Sequence, residues 1–268
     1  MNQNLAFVHP DAKIGKDVKI DPFAYIAGNV EIGDGTWVGP NATILDGARI
    51  GKNCRIFPGA VISAIPQDLK FRGEETTAII GDNTTMRECV TVNRGTKSRG
   101  KTVIGNNCLL MAYVHVGHDC VIGNEIILGN GTQLAGEVEI DDWAIVSAHS
   151  LVHQFEKIGS HVMIQGGSKI NKDIPPFIIA AREPITFAGI NIIGLRRRGY
   201  SAQQIGEIQE IYRNIYGKGM NVSQALNFIE ENMTQTAERD LIVNFIRNSK
   251  RGIVREFTGA DPNEGLED

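Results

Sequence analysis

The chain is poor in the residues that usually explain a fold quickly. Four cysteines in 268 residues are too few and too irregularly spaced for a disulfide framework, and they suit packing in a reducing cytoplasm. Aromatic residues make up only 6%, so aliphatic side chains must supply the core. No apolar run reaches the length of a membrane span or forms a signal peptide, which argues against stable membrane insertion. A formal net charge of −4 gives no global attraction to nucleic acid or anionic lipid, so an anionic partner would have to meet a local basic patch. The length suits a soluble globular protein with one large domain or two small ones.

What the sequence does contain is a register. Counting every sixth residue from Ile14 to Ile170 meets an aliphatic side chain at 24 of 27 positions, and only Asp68, Glu74 and Ser98 fail. A period of six fits neither an amphipathic helix nor an isolated alternating strand. It fits a solenoid in which each turn packs on its neighbours, here a mainly β parallel β-helix of hexapeptide repeats. The first residue of each hexad points inward. The fifth is small, as at Ala24, Ala42, Cys54, Ala60, Cys108 and Cys120. The second is often glycine, expected to supply a backbone conformation closed to residues with a Cβ. The misfits lie in Ile65 to Ala78 and Arg94 to Thr102, which read as loops thrown out of the coil.

Three hexads make a coil of eighteen residues, so residues eighteen apart stack in columns. His118, Gly136 and Gln154 share one column, flanked by Gly117, Ala135 and His153 on one side and by Asp119, Glu137 and Phe155 on the other. His118 and His153 would stand two coils apart, roughly 10 Å, which suits two ends of a substrate better than one shared metal ion. His118 with Asp119 has the makings of a general base and its orienting carboxylate, provided a coil corner relaxes the alternation of strand neighbours. Gly136 offers an unshielded N–H one coil from that histidine. His115 fits a cleft wall or an exposed coil position equally well. His149 and His161 read as structural or solvated. Glu137 stacks over Asp119, and repulsion between the two carboxylates would alter support of the base.

Beyond Ile170 the period stops, and Pro175-Pro176 is expected to end the coil. A connecting stretch runs through Arg196-Arg197-Arg198-Gly199. Ser201 then reads as the N-cap of a helix ending at Gly217, followed by helices over Val222 to Asn232 and roughly Thr236 to Asn248. The expected division is a coil over 1–185, a helical unit over 186–257 and a loose acidic tail over 258–268.

Several motifs together carry a resemblance: Gln67-Asp68-Leu69-Lys70, His115-Val116-Gly117-His118-Asp119-Cys120, Leu134-Ala135-Gly136, Val152-His153-Gln154-Phe155 and Arg197-Arg198-Gly199. They resemble the UDP-N-acetylglucosamine acyltransferases over nearly all of the chain except the acidic tail. The resemblance implies a left-handed coil and a cytoplasmic homotrimer with a site in each cleft between subunits. It implies transfer of a 3-hydroxyacyl chain from acyl carrier protein to the glucosamine 3-hydroxyl, without cofactor or metal. His118 would be the base, Asp119 its support and Gly136 the oxyanion donor. Asp68 and Lys70 would bind the sugar and donor region, Gln67, His115, His153 and Gln154 would line the cleft, Asn191, Arg197 and Arg198 would contact the nucleotide or the carrier, and Gly166 would leave the acyl groove open to a long chain. Lys157, Lys169, Lys172 and Arg182 are candidate docking charges for the acidic carrier. Glu137 and Ile193 depart from the family pattern, which commonly has histidine and a carboxylate there. The rivals are another sugar acyltransferase on the same repeat, a γ-type carbonic anhydrase and a non-catalytic coil. The sister acyltransferase resembles a longer chain with an N-terminal nucleotide-binding domain, whereas this coil is expected to begin almost at once. The carbonic anhydrases lack the helical unit and the Gln67-Asp68-Leu69-Lys70 motif, and His118, Asp68 and Lys70 speak against a non-catalytic coil.

Overall fold

The computed structural model describes residues 5–257, so the expected acidic tail lies outside the described residues. Its repeating unit is a two-residue strand, such as Tyr25–Ile26, Thr43–Ile44 and Val121–Ile122. The register residue is the second of each pair and turns inward, and Ile26, Ile44 and Ile62 are wholly buried. Strands eighteen residues apart pair in parallel, Tyr25 with Thr43 and Ile26 with Ile44. Every third strand joins the same sheet, giving faces of nine, eight and ten strands around one aliphatic column. Burying that column is the main driving force for the coil, at roughly 1.5–3 kcal/mol per fully buried aliphatic side chain.

The corners have two separate causes. The left-handed conformation falls on the fourth hexad place, whatever residue stands there: Asn41 (φ 57°), Asp119 (60°), Glu125 (58°), Gly35 (71°) and Gly131 (67°). The second-place glycines, expected to supply it, do not have positive φ. They provide room instead. A Cβ on Gly33 would fall 2.6 Å from the carbonyl carbon of Gly51, and one on Gly105 would fall 2.5 Å from the Gly123 carbonyl oxygen. The close approach of stacked coils, rather than φ, is what forbids a side chain there.

Both expected loops leave the coil and return in register. Val61 pairs with Thr91, thirty residues on rather than eighteen, and Thr77 pairs with Lys101, twenty-four on. The strands resume slightly before the expected loop ends, at Thr77 and Lys101.

The proline pair breaks the count without ending the sheet. Ile178–Ala181 still pairs in parallel with Met163–Ile164, at a spacing of sixteen, and Thr186–Ile190 closes that edge antiparallel. A further element was not expected: the arginine stretch belongs to a short helix, α1 (Ile192–Arg197), whose N-cap Asn191 accepts from the Gly194 N–H. Helix α2 (Ala202–Tyr216) starts at the expected Ser201, which forms a reciprocal capping box with Gln204 and stops at Gly217. Helices α3 (Val222–Asn232) and α4 (Ala237–Arg247) follow, and all three bury one apolar stripe. After α4 the chain returns to the coil, where Asp173 donates to the Gly252 carbonyl at 3.1 Å and accepts from the Val254 N–H at 3.0 Å.

Candidate active site

The site begins with a backbone problem. The third hexad place sits on a corner, and its N–H regularly points out of the ladder. Along one corner the next coil answers with a side chain: Asp34 Oδ1 accepts from Lys16 N at 2.8 Å, Asn106 Oδ1 from Asp82 N at 2.7 Å, and Asn124 Oδ1 from Asn106 N at 2.9 Å. His118, Gly136 and Gln154 occupy the third place of a different corner. Gly136 has no side chain to offer His118, and among the described residues the Gly136 N–H has no acceptor.

His118 fills the space that the glycine leaves. A Cβ on Gly136 would lie 2.4 Å from His118 Nε2, so the ring rests against the Gly136 backbone. On the ring's other side, Nδ1 lies 2.8 Å from Asp119 Oδ2, with the His118 side chain 13% exposed and Asp119 wholly buried. The left-handed turn at Asp119 (φ 60°) brings two sequence neighbours to the same side, which strand alternation would forbid. A carboxylate facing Nδ1 holds the proton there and leaves Nε2 with its lone pair.

Asp119 is held by a segment whose part the sequence did not reveal. In the second expelled loop, the Thr96 N–H lies 3.0 Å from both Asp119 oxygens, Thr96 Oγ1 donates to Oδ2 at 2.6 Å, and the Arg99 N–H donates to Oδ1 at 3.1 Å. A buried carboxylate needs such donors to satisfy its oxygens. Glu137 turns to the same loop and accepts from Ser98 Oγ at 3.1 Å. The two carboxylates of this column thus have separate donors.

Two hollows flank the His118 corner. One, about 390 Å³, is walled by His115, Ala135, Leu151, His153 and Lys169. The other, about 440 Å³, is walled by Arg99, Glu137, Phe155, Lys157 and Arg251. His115 Nδ1 lies 2.7 Å from Thr91 Oγ1, and burial, followed by the nearby His118, holds its imidazole below the usual histidine range. The cysteines serve packing: Cys120 Sγ donates to the Ala135 carbonyl at 3.1 Å, and burial pushes its thiol up to about 12.

Other candidates lie apart from this group within one chain. Asp68 closes its own turn by accepting from the Lys70 N–H at 2.9 Å, Leu69 is 95% exposed, and neither Gln67, Asp68 nor Lys70 walls either hollow. Asn191 is buried at its cap, donating to the His161 carbonyl at 2.9 Å. Arg198 lies over the Trp143 ring at 5.2 Å and donates to the Trp143 carbonyl at 3.1 Å. Trp143, His161 and Phe177 form a stack, and burial presses His161 down to about 4. Arg197 and Ile193 are exposed on α1. Among the described residues, no group of three or more His, Cys, Asp or Glu is placed to hold a metal ion within the chain.

Known proteins resemble the chain in sequence and in fold. The profile of UDP-N-acetylglucosamine O-acyltransferase domain 2 matches residues 173–254, the bacterial transferase hexapeptide profile matches 101–136, and the GMPPB C-terminal domain profile matches 2–103. An acyl-(acyl-carrier-protein)–UDP-N-acetylglucosamine O-acyltransferase of Ectopseudomonas mendocina (strain ymp) is 46% identical over 189 residues, covering 70% of this chain and 73% of that protein. The crystal structure of a UDP-N-acetylglucosamine acyltransferase from Bacteroides fragilis 9343 is 58% identical with a TM-score of 0.94, covering 95% of this chain and all of the other. The Francisella novicida structure of the same description is 42% identical with a TM-score of 0.92, covering 99% of this chain and 96% of that one. By sequence, left-handed coil and helical unit alike, the chain belongs to the UDP-N-acetylglucosamine O-acyltransferase family.

Proposed function

We propose that the chain transfers a 3-hydroxyacyl group from acyl carrier protein to the glucosamine 3-hydroxyl of UDP-N-acetylglucosamine, the first step of lipid A synthesis. The observation that carries this reading is the meeting of three groups: His118 Nε2 with its lone pair free, Asp119 behind the ring, and the unpaired Gly136 N–H beside it. Nε2 takes the proton from the sugar hydroxyl as its oxygen bonds to the thioester carbon. The carbonyl oxygen gains negative charge next to the Gly136 N–H. As the C–S bond breaks, the imidazolium returns the proton to the departing thiolate. A thioester is activated enough for direct attack, so a base, an oxyanion donor and positioning account for catalysis without an enzyme nucleophile.

The exposed Gln67-Asp68-Leu69-Lys70 turn has no partner wall within one chain, which favours a homotrimer whose loop reaches the neighbour's cleft to meet sugar and donor. His115, His153 and Gln154 line the acyl and sugar path. Arg197 is exposed at the end of α1, with Asn191 and Arg198 fixing that helix against His161 and Trp143, an arrangement suited to nucleotide phosphates. At Gly166 an added Cβ would come within 3.1 Å of the Ala148 carbonyl, so bulk there would narrow the surface along which a long chain lies. Of the four candidate carrier-docking cations, Lys157 pairs with Glu139 at 2.9 Å, Lys169 with Glu183 at 3.8 Å, Lys172 donates to the Arg251 carbonyl at 2.6 Å, and Arg182 lies over Phe257 at 4.0 Å. An acidic carrier would exchange these partners on docking.

The test is His118→Ala assayed for 3-O-acyl transfer from 3-hydroxyacyl carrier protein. The expected loss in kcat is about 10²–10⁴, the usual contribution of a positioned base. Full activity in that variant would remove the proposed base, and mass spectrometry of the product from mixed donors would identify the chain transferred.

A further inference from the structure

Outside the two loops, the fifth hexad place holds small or apolar residues and hydroxyls at every coil except one, where it holds Glu156. Its side chain is wholly buried, neither carboxylate oxygen has a hydrogen bond, and its ion partner is Arg251, with Nη1 3.3 Å from Oε1. Arg251 arrives on the segment that returns from α4. That segment is fixed to the coil by Ser249 Oγ donating to Asp173 Oδ2 at 2.6 Å and by the backbone pairing of Asp173 with Gly252 and Val254. The guanidinium lies over the Phe155 ring at 5.7 Å, and its Nη1 is also 3.4 Å from His153 Nδ1. A buried acid in a corner built for small side chains thus aims a cation at a histidine of the proposed cleft.

That contact bears on where His153 carries its proton. Nδ1 faces two neighbours with opposite demands, the Gln154 carbonyl at 3.1 Å and the Arg251 guanidinium at 3.4 Å. The carbonyl asks for a proton on Nδ1, whereas the guanidinium, which can only donate, asks for a lone pair. A charged donor makes a hydrogen bond roughly twice as strong as a neutral one, which favours the guanidinium although it is the more distant. We propose that Arg251, anchored by Glu156, is a positioning residue for the transfer, keeping the His153 proton on Nε2 so that the ring offers an N–H to a substrate oxygen. The catalytic part of this inference rests on the acyl transfer proposed above. Burial first and the Asp173 carboxylate second raise Glu156 to about 7, opposed by Arg251 and Lys172, so its charge is fuller above neutrality.

The experiment uses the full chain with ¹⁵N-labelled histidine at pH 8, the His153 signals being assigned by their loss in His153→Gln. Wild type should show a protonated Nε2 and a bare Nδ1. Arg251→Met should move the proton to Nδ1, where Gln154 accepts it, and should raise a substrate KM about tenfold with kcat within about threefold, a change of about 1.4 kcal/mol. Arg251→Lys should restore much of the Nε2 form, and Glu156→Gln should fall between Met and wild type. Because Arg251→Met leaves the buried Glu156 without its cation, the double variant Glu156→Gln/Arg251→Met, which removes both charges, is read beside it and should show the same proton on Nδ1 with the fold kept. A purely structural role would lower melting temperature without moving the proton. A proton on Nδ1 in the wild type, or one that stays on Nε2 in Arg251→Met, overturns the inference. If the wild type fails to acylate UDP-N-acetylglucosamine, the proposed reaction falls, while the tautomer result is still read independently.

Discussion

Along the corner that carries Asp34, Asp82, Asn106 and Asn124, third-place N–H groups are met by a short acid or amide from the next coil. Where the other corner carries His118, Gly136 and Gln154, no short acid or amide from the next coil meets the third-place N–H, and among the described residues the N–H groups of His118 and Gly136 have no acceptor. Both corners share the same coil, the same left-handed fourth place and the same inward aliphatic column. In the proposed reaction, chemistry at the second corner comes from a subtraction. The missing side chain at Gly136 leaves the His118 N–H without an acceptor and the space it leaves admits an imidazole, while one coil on Gln154 does not accept from the Gly136 N–H. On the proposed reading, the first corner stabilises the solenoid and the second is left open to react.

The largest break in that contrast is Gly136→Ala. A methyl group placed 2.4 Å from His118 Nε2 cannot be accommodated without swinging the ring out of position, and it crowds the free amide as well. Loss of oxyanion-type stabilisation alone typically costs about 10²–10³ in kcat, so at least that loss is expected in steady-state acyl transfer. Activity within a few-fold of wild type would mean that the open corner is not where the reaction occurs. The next effect should come from Thr96→Val, which keeps the side-chain shape but removes the hydroxyl that donates to Asp119 at 2.6 Å. A hydrogen bond to a charged group is worth about 1.5–3 kcal/mol. The expected outcome is a fall in kcat of about ten- to a hundredfold with little change in KM, since the ring's orientation is affected and the walls of the hollows are not.

The difference between these two predictions also marks what could be read in the sequence. Gly136 was legible because a strict period converts spacing into neighbourhood, so residues eighteen apart declare that they touch. His118 and Asp119 were legible for the same reason, and the left-handed corner supplied the one exception to alternation they needed. Thr96 was not. It lies in a loop outside the register, and nothing in its spacing indicates that it caps a carboxylate 23 residues away. Helix α1 escaped because six residues give no apolar period, and only Asn191 marked its start. The second-place glycines were recognised while the cause was misassigned: sequence shows that a Cβ is avoided, but only the stacking distance shows whether φ or crowding is responsible. Pro175-Pro176 broke the count, yet the parallel pairing survived by shortening one coil to sixteen residues.

The smallest effect should fall on the closed corner. Asn106 Oδ1 accepts from the Asp82 N–H at 2.7 Å, and the Asn106 amide donates to Asn124 Oδ1 at 3.0 Å, so Asn106→Ala leaves one rung of the ladder empty. Asn106 is exposed, and water replaces much of what is lost, which limits the cost to about 0.5–1.5 kcal/mol, the net worth of an ordinary hydrogen bond. In a chain of this size that corresponds to a fall of about 1–6 °C in Tm, with acyl transfer unchanged at a temperature well below the transition. The two readouts separate the corners: at Asn106 stability should move without rate, and at Gly136 rate should move far more than stability. An Asn106→Ala enzyme that melts normally but turns over slowly would mean that the ladder shapes the site as well as the solenoid, and the division between a supporting corner and a reacting one would fail.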